Sequence, residues 1–410
     1  MSKLYNLFQA HPAISTDTRR ITPGSLFFAL RGTSFDGNRF AADALAKGAV
    51  AAVVDDPTVA TDERYVVVED VLTALQELAR EHRRTLQIPI LAIAGSNGKT
   101  TTKELVSRVL AQKYHIYATR GNLNNHIGVP LTLLAMTTET EFGIVEMGAS
   151  ACEEIARLCE IAEPDFGLLT NVGRAHLEGF GGVEGVRRGK GELYDYLAST
   201  GGTAFVRQDD AMLKAMAEER PTLTVIHYAA QLAEGIEHHL EGDFNRYNVA
   251  AAVAVGAYFS IPLTAIGHAI ASYQPDNNRS QRMQTERNTL IVDCYNANPT
   301  SMQASIRNFL NEPLGAHKRR ILILGDMREL GAWAEEEHRA ILDEVTDTAA
   351  EVWLGGEEFT RAATTARTPM VCFDRCDALC QWLHDTPPTE ALILIKGSHS
   401  IGLERTIPLL

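Results

Sequence analysis

The chain has 410 residues, 45% of them hydrophobic and 22% charged, with a formal net charge of −14. That length holds two or three domains, and the composition excludes disorder and collagen-like or mucin-like repeats. The acidic balance, 52 Asp and Glu against 38 Lys and Arg, excludes a non-specific nucleic-acid binder, so any anionic ligand must be held locally.

Over the first 84 residues, short apolar runs alternate with glycine turns. Ser25–Leu30, Ala49–Val54 and Tyr65–Val68 read as strands. Phe40–Lys47 reads as a helix closed by Gly48. Val71–Leu86 has helical spacing and leads into a linker ending near Pro89. Ile90–Ala94 is an apolar strand entering a glycine loop, and a helix over Thr100–Leu110 follows. With further strands at Phe142–Glu146 and Phe166–Thr170, this alternation predicts a parallel, doubly wound sheet. Tyr247–Gln274 contains no Asp, Glu, Lys or Arg, but it is alanine-rich and broken by Pro262. It reads as a buried helix, a turn and a second helix rather than a membrane span. From near Asn288, strands at Leu290–Asp293, Arg320–Leu324, Glu351–Leu354 and Leu392–Ile395 alternate with helical stretches. No signal-peptide pattern precedes them, which predicts a cytoplasmic protein. The cysteines form no CxxC pair and read as free thiols. Cys372, Cys376 and Cys380 recur every four residues as one stripe of a helix, with a metal site as the alternative.

The strongest chemical signal is Gly95-Ser96-Asn97-Gly98-Lys99-Thr100-Thr101, with a strand leading in and a helix leading out. Glycines let backbone N–H groups turn toward a phosphate, and the helix N-terminus adds its positive end. Lys99 suits outer phosphates and the Thr100 hydroxyl suits Mg²⁺. The GxxGKT spacing is two residues shorter than the common phosphate loop. Glu146 ends an apolar strand, where α/β sheets bind ligands, and is placed to hold the same ion. His176 follows another strand end and is a ligand candidate. Lys190, read as opening a helix, is either a phosphate contact or a solvated charge. Asn245 and Asn248 share a helix face; they offer donor and acceptor to a base edge, or one of them caps the helix. Asp293 follows a strand and suits a ribose hydroxyl, although its Asn/Pro-rich neighbours also mark a turn.

These segments, in this order, resemble the Mur ligase family of peptidoglycan synthesis, and among its members the one that adds a dipeptide. The resemblance is carried from Ser15-Thr16-Asp17-Thr18-Arg19, Pro23–Leu30 and Asp36-Gly37-Asn38 through Gly121–Pro130 to Asp293–Ser301 and Leu324–Met327. It implies an α/β chain of three domains: a smaller N-terminal UDP-substrate domain (1–84), a central P-loop-type ATPase domain with a doubly wound, mostly parallel sheet (85–286), and a Rossmann-like C-terminal domain (287–410) closing over the site. It implies that ATP activates the carboxylate of UDP-MurNAc-tripeptide as an acyl phosphate, which the D-alanyl-D-alanine amine attacks. By the same resemblance, the ATP set is Gly95 to Thr101, Asn245, Asn248, Arg279, Asp293 and Asn296. Thr100 and Glu146 hold one Mg²⁺, and His176 with a carbamylated Lys190 hold a second. Thr18, Arg19, Asn38, Asn122, Asn125, Asp326, Lys396 and Ser398 contact the substrates. Lys99, Lys190 and His176 form the catalytic set. The implied enzyme is a monomer with no nucleic-acid partner and no membrane insertion.

The chain departs from the family pattern at Asn38, Phe244, Cys294 and His399. Its Asn277-Asn278-Arg279-Ser280-Gln281 run makes Arg282 a competitor of Arg279. The rival reading is a sister ligase adding one amino acid, but Asn311-Glu312-Pro313-Leu314 lacks the arginine of that enzyme's Asp-Asn-Pro-Arg element. A different class, a nucleotide-regulated scaffold, needs the phosphate loop without turnover.

Overall fold

A computed structural model of the chain describes residues 2–275, 278–364 and 370–410; Asn277 lies outside them. The strands form three sheets. In the first, β1 (Ile14–Ser15), β2 (Leu26–Phe28), β3 (Ala51–Val54) and β4 (Tyr65–Val67) lie parallel in chain order.

Helix Val71–Leu86 then leads to the second sheet. Asp70 caps it by accepting the Thr73 N–H at 2.7 Å. Val71, Leu75, Leu78, Ala79 and His82 bury one face at helical spacing. That face packs on helices Gly128–Leu134 and Glu154–Ala162. The expected division at 84/85 therefore cuts a helix that buttresses the middle domain.

The second sheet contains β5 (Ile90–Ala94), β6 (Ile116–Ala118), β7 (Phe142–Glu146), β8 (Phe166–Leu169), β9 (Thr203–Arg207) and β10 (Thr224–Tyr228). Its order is 10-9-8-5-7-6, all parallel. β5 and β7 are buried throughout because helices cover both faces, and both are apolar except for Glu146 at the end of β7. Strand order reverses beside β5, and ligands of open α/β sheets bind beyond the strand ends at such a point.

The uncharged stretch forms helices Asn245–Tyr258 and Leu263–Ala271. The first is buried almost all round and packs on helix Lys99–Leu110. Among the described residues, no helix is long and apolar enough to cross a membrane.

The third sheet contains β11 (Gln281–Gln284), β12 (Thr289–Asp293), β13 (Arg319–Gly325), β14 (Glu351–Gly355), β15 (Val371–Phe373) and β16 (Ala391–Lys396), in the order 11-12-16-13-14-15. Only β11 is antiparallel. The expected division at 286/287 falls inside the β11–β12 hairpin, because β11 already belongs to this sheet.

The cysteine stripe needs correction. Cys376 and Cys380 share helix Cys376–Asp385, but Cys372 lies in β15. All six cysteines are free, and the described residues gather no group of three His, Cys, Asp or Glu able to hold a metal.

One buried histidine ties the N-terminal helix Lys3–Ala10 to the rest. His82 Nε2 lies 2.9 Å from the Met136 carbonyl, and Nδ1 lies 3.1 Å from the Tyr5 hydroxyl. A carbonyl only accepts, so Nε2 carries the proton and Nδ1 accepts from Tyr5. Burial holds the His82 pKa below its ordinary 6.5, against the opposing pull of the Met136 carbonyl. The unfolded chain therefore binds the proton first, so the His82 contribution to stability is complete above about pH 6.5 and shrinks as pH falls below it. Urea unfolding of wild type and His82→Gln between pH 7.5 and 5.5 is expected to show a steeper acid loss in the wild type. Equal slopes would remove His82 as the cause.

Candidate active site

The phosphate loop joins β5 to helix Lys99–Leu110. Two of its glycines are required by geometry. At Gly95 (φ +134) a Cβ would stand 2.1 Å from Thr170 Oγ1, and at Gly98 (φ +80) it would stand 2.6 Å from Asn248 Oδ1. The Ser96 and Asn97 N–H groups are already taken by the Asn171 carbonyl and side-chain oxygens, at 3.0 Å each. Asn171 Nδ2 also donates to the Asn97 carbonyl. Asn171 thus fixes the loop, and the N–H groups left for an anion are those opening the helix.

Lys99 Nζ donates to the Gly95 and Ser96 carbonyls at 2.8 and 3.1 Å. Lys99 is partly exposed and borders the cleft. Burial lowers its pKa to about 8, with Glu146 opposing and Arg279 reinforcing that shift.

Register brings Glu146 to the loop, because it pairs with Ile93, two residues before Gly95. Glu146 is buried; Oε1 accepts from Asn124 Nδ2 at 2.9 Å, and Oε2 has no partner. An unpaired buried carboxylate oxygen is costly unless something positive meets it. His176 sits in the left-handed region (φ 53), and its Nδ1 meets the carboxylate of Glu329 from the third domain. That contact holds the Glu329 carboxyl below its usual range.

Lys190 stands in the middle of helix Val183–Thr200, not at its start. It is 1% exposed, which excludes a solvated charge. Nζ donates to the Ala149 carbonyl at 3.0 Å and lies 4.9 Å above the Phe180 ring. Burial, then the nearby Lys99 charge, lowers its pKa to about 7, with Glu154 and Glu192 opposing.

Ser96 to Thr101, Glu146 and His176 line one cleft of about 1430 Å³ that runs from helix Val71–Leu86 to the third sheet. Of the expected nucleotide set, Ser96 to Thr101, Asn245, Asn248, Arg279, Asp293 and Asn296 border it. Gly95 and Lys190 lie just behind its wall. The Asn245–Asn248 amides are largely committed: Asn245 Nδ2 donates to the Glu241 carbonyl, Asn248 Nδ2 to Asn245 Oδ1, and Thr102 Oγ1 to Asn248 Oδ1. They tie their helix to the loop helix. Arg279 stacks 3.9 Å from the Tyr295 ring and faces the cleft, whereas Arg282 is spent on Glu241 and Glu312.

The expected substrate contacts divide. Asn122, Asn125 and Ser398 border the cleft. Asn125 Oδ1 caps helix Gly128–Leu134, and the loop residue that reaches inward is Asn124. Lys396 also borders the cleft, but its ammonium is engaged. It lies opposite Asp293 in the β12–β16 register, is buried, and donates to Asp293 Oδ2 at 2.6 Å. Asp326 does not reach the cleft. Its carboxylate caps helix Glu357–Ala363 through the Glu358 and Phe359 N–H groups. Thr18, Arg19 and Asn38 lie outside the cleft lining. Asn38 is consumed by Asp36, Asp55 and Asp56, and Arg19 pairs with Asp17. Sequence reasoning assigned no role to Asn124, Asn171, Tyr295, Asn298 or Glu329; their only signal was a place in asparagine-rich or strand-end turns.

Comparison with known proteins follows the same division. The Mur ligase family, catalytic domain model matches residues 12–83, the Mur ligase middle domain model 93–234, and the Mur ligase, glutamate ligase domain model 278–399. A UDP-N-acetylmuramoyl-tripeptide--D-alanyl-D-alanine ligase of Bacillus subtilis (strain 168) is 36% identical over 80% of this chain and 76% of its own. The crystal structure of MurF from Acinetobacter baumannii superposes with a TM-score of 0.86 at 28% identity, covering 98% of this chain and 97% of that one. MurF ligase from Thermotoga maritima in complex with ADP gives 0.85 at 25%, covering 100% and 98%. With its three domains matched in order and a relative this similar across four-fifths of its length, the chain belongs to the Mur ligase family.

Proposed function

We propose that this chain joins D-alanyl-D-alanine to UDP-MurNAc-tripeptide at the expense of ATP. The observation that carries the reading is the single cleft in which the phosphate loop, the strand-end Glu146 and third-domain residues Arg279, Asp293 and Ser398 converge. The names of the similar ligases supply the substrates. In this reading the N-terminal domain holds the UDP end, the middle domain the ATP and the third domain the dipeptide. The enzyme acts as a cytoplasmic monomer, without nucleic acid.

A carboxylate is a poor electrophile. Transfer of the γ-phosphoryl group to its oxygen, with loss of ADP, gives an acyl phosphate. The neutral dipeptide amine attacks the carbonyl carbon, phosphate leaves with the C–O bonding pair, and the amine gives up its proton. Lys99 moves from its own loop carbonyls to the outer phosphates, and the open helix N–H groups share that charge. Arg279 meets the phosphates from the other wall. Docking of the third domain excludes water that would hydrolyse the acyl phosphate.

The residues fit Mg²⁺. Thr100 and the unpartnered Glu146 Oε2 border one cleft, and Mg²⁺ needs only one or two protein oxygens beside substrate phosphates. Bound there, it would neutralise phosphate charge. A second ion beside His176 needs another anion. CO₂ added to the neutral Lys190 amine, with release of the amine proton to solvent, would supply it as a carbamate, and the lowered pKa keeps that amine available at neutral pH.

The test is phosphate release from ATP with Mg²⁺ and UDP-MurNAc-tripeptide, with and without D-alanyl-D-alanine, with the product weighed by mass spectrometry. Dipeptide-dependent release and a pentapeptide mass are expected. Turnover only with UDP-MurNAc-dipeptide and one free amino acid would assign the chain to a sister ligase instead.

A further inference from the structure

Two asparagines meet across the junction of the middle and third domains. Asn97 Nδ2 donates to Asn298 Oδ1 at 3.3 Å, and Asn298 Nδ2 donates to Asn97 Oδ1 at 2.7 Å. Each amide uses one donor and one acceptor, so the pair is reciprocal. Asn97 is part of the phosphate loop. Asn298 is buried and caps helix Pro299–Asn311, its Oδ1 also accepting the Ser301 N–H at 3.0 Å.

The contact continues on both sides. The Arg174 N–H donates to Thr300 Oγ1 at 2.9 Å, and the Gly173 backbone lies so close that a Cβ would stand 2.9 Å from the same oxygen. Behind Asn298, Ser398 Oγ reaches the Ala297 carbonyl at 3.5 Å and accepts the Arg328 N–H at 3.0 Å. A continuous path therefore runs from the end of the cleft bordered by Arg328 and Ser398, through Ala297 and Asn298, to Asn97. Neutral amides suit this junction. They form and part without the desolvation penalty of an ion pair and add no charge beside the phosphates.

We infer that Asn97 and Asn298 are a positioning pair through which docking of the third domain orders the phosphate loop, so that occupation of the Arg328–Ser398 end promotes phosphoryl transfer at the other. This rests on the proposed ligase reaction. Two variants separate the roles. Asn298→Asp keeps the acceptor that caps the helix but sets a second acceptor against Asn97 Oδ1. Asn97→Ala removes the partner and leaves the loop backbone bonds.

Each variant is expected to lower kcat about tenfold; KM for ATP is expected to change by no more than about twofold in Asn97→Ala and to rise further in Asn298→Asp, which adds a negative charge beside the phosphates. The double variant is expected to be no slower than the slower single one. Small-angle scattering with a non-hydrolysable ATP analogue and D-alanyl-D-alanine is expected to show compaction in the wild type and its loss in both variants. Additive losses, wild-type kcat in Asn298→Asp, or unchanged compaction would overturn the inference. A wild type without dipeptide-dependent turnover would overturn the ligase reading instead, and the scattering comparison would still judge the pair.

Discussion

Lys99→Ala is expected to lower kcat by about 10²–10³-fold, the scale set by removing one preorganised donor from a site of developing charge. The ammonium bonds only to the Gly95 and Ser96 carbonyls of its own loop, so its removal takes nothing from the core. Folding, read by thermal melting, is expected to be unchanged. Burial leaves its pKa near 8. The charged form needed by the phosphates is therefore complete well below pH 8 and is lost as pH rises through it. In the wild type, kcat/KM for ATP is expected to fall on that alkaline limb. Bound phosphates favour the charged form, so kcat is expected to hold to higher pH than kcat/KM. Lys99→Arg does not restore the rate in this picture, because a planar fork does not fit the space closed by Gly95 and Ser96. A Lys99→Ala enzyme keeping a tenth of wild-type kcat would remove Lys99 from phosphate stabilisation.

The parts of this site legible in the sequence are those set by local chemistry. A run such as Gly95 to Thr101 between an apolar strand and a helix leaves few alternatives, because its glycines occupy backbone conformations closed to other residues. Glu146 was legible for a similar reason: a strand end on a parallel sheet faces the ligand. The residues whose side chains are already engaged owe that to pairing between distant segments. Lys396 reads as a free cation until the register sets it against Asp293, 103 residues away. Asp326 reads as a strand-end ligand until helix Glu357–Ala363 presents its N–H groups to it. Asn38 follows a similar logic, since Asp55 and Asp56 claim it from the next strand end. Lys190 was ambiguous because a lysine inside a helix has no burial of its own; the packing of Ala149 and Phe180 supplies it.

That burial makes Lys190 the residue whose chemistry differs most between the two readings. As a cation it would contact phosphate, and Lys190→Arg would keep much of the activity. As a carbamate it becomes an anion, and arginine cannot replace it. Carbamate formation consumes the neutral amine, whose population at a pKa of about 7 falls roughly tenfold for each pH unit below that value. Activity is thus expected to fall below about pH 7, to drop further when CO₂ is purged, and to recover on adding bicarbonate. Lys190→Ala is expected to lose several kcal/mol of transition-state stabilisation, about 10²–10³-fold in kcat. It also leaves a cavity beside Ala149 and Phe180, where a small carboxylate such as acetate can stand in for the missing anion. Partial rescue by acetate, and none by methylammonium, is the expected signature. Rescue by methylammonium, or a Lys190→Arg enzyme that keeps much of the wild-type activity, would return Lys190 to the role of a buried cation.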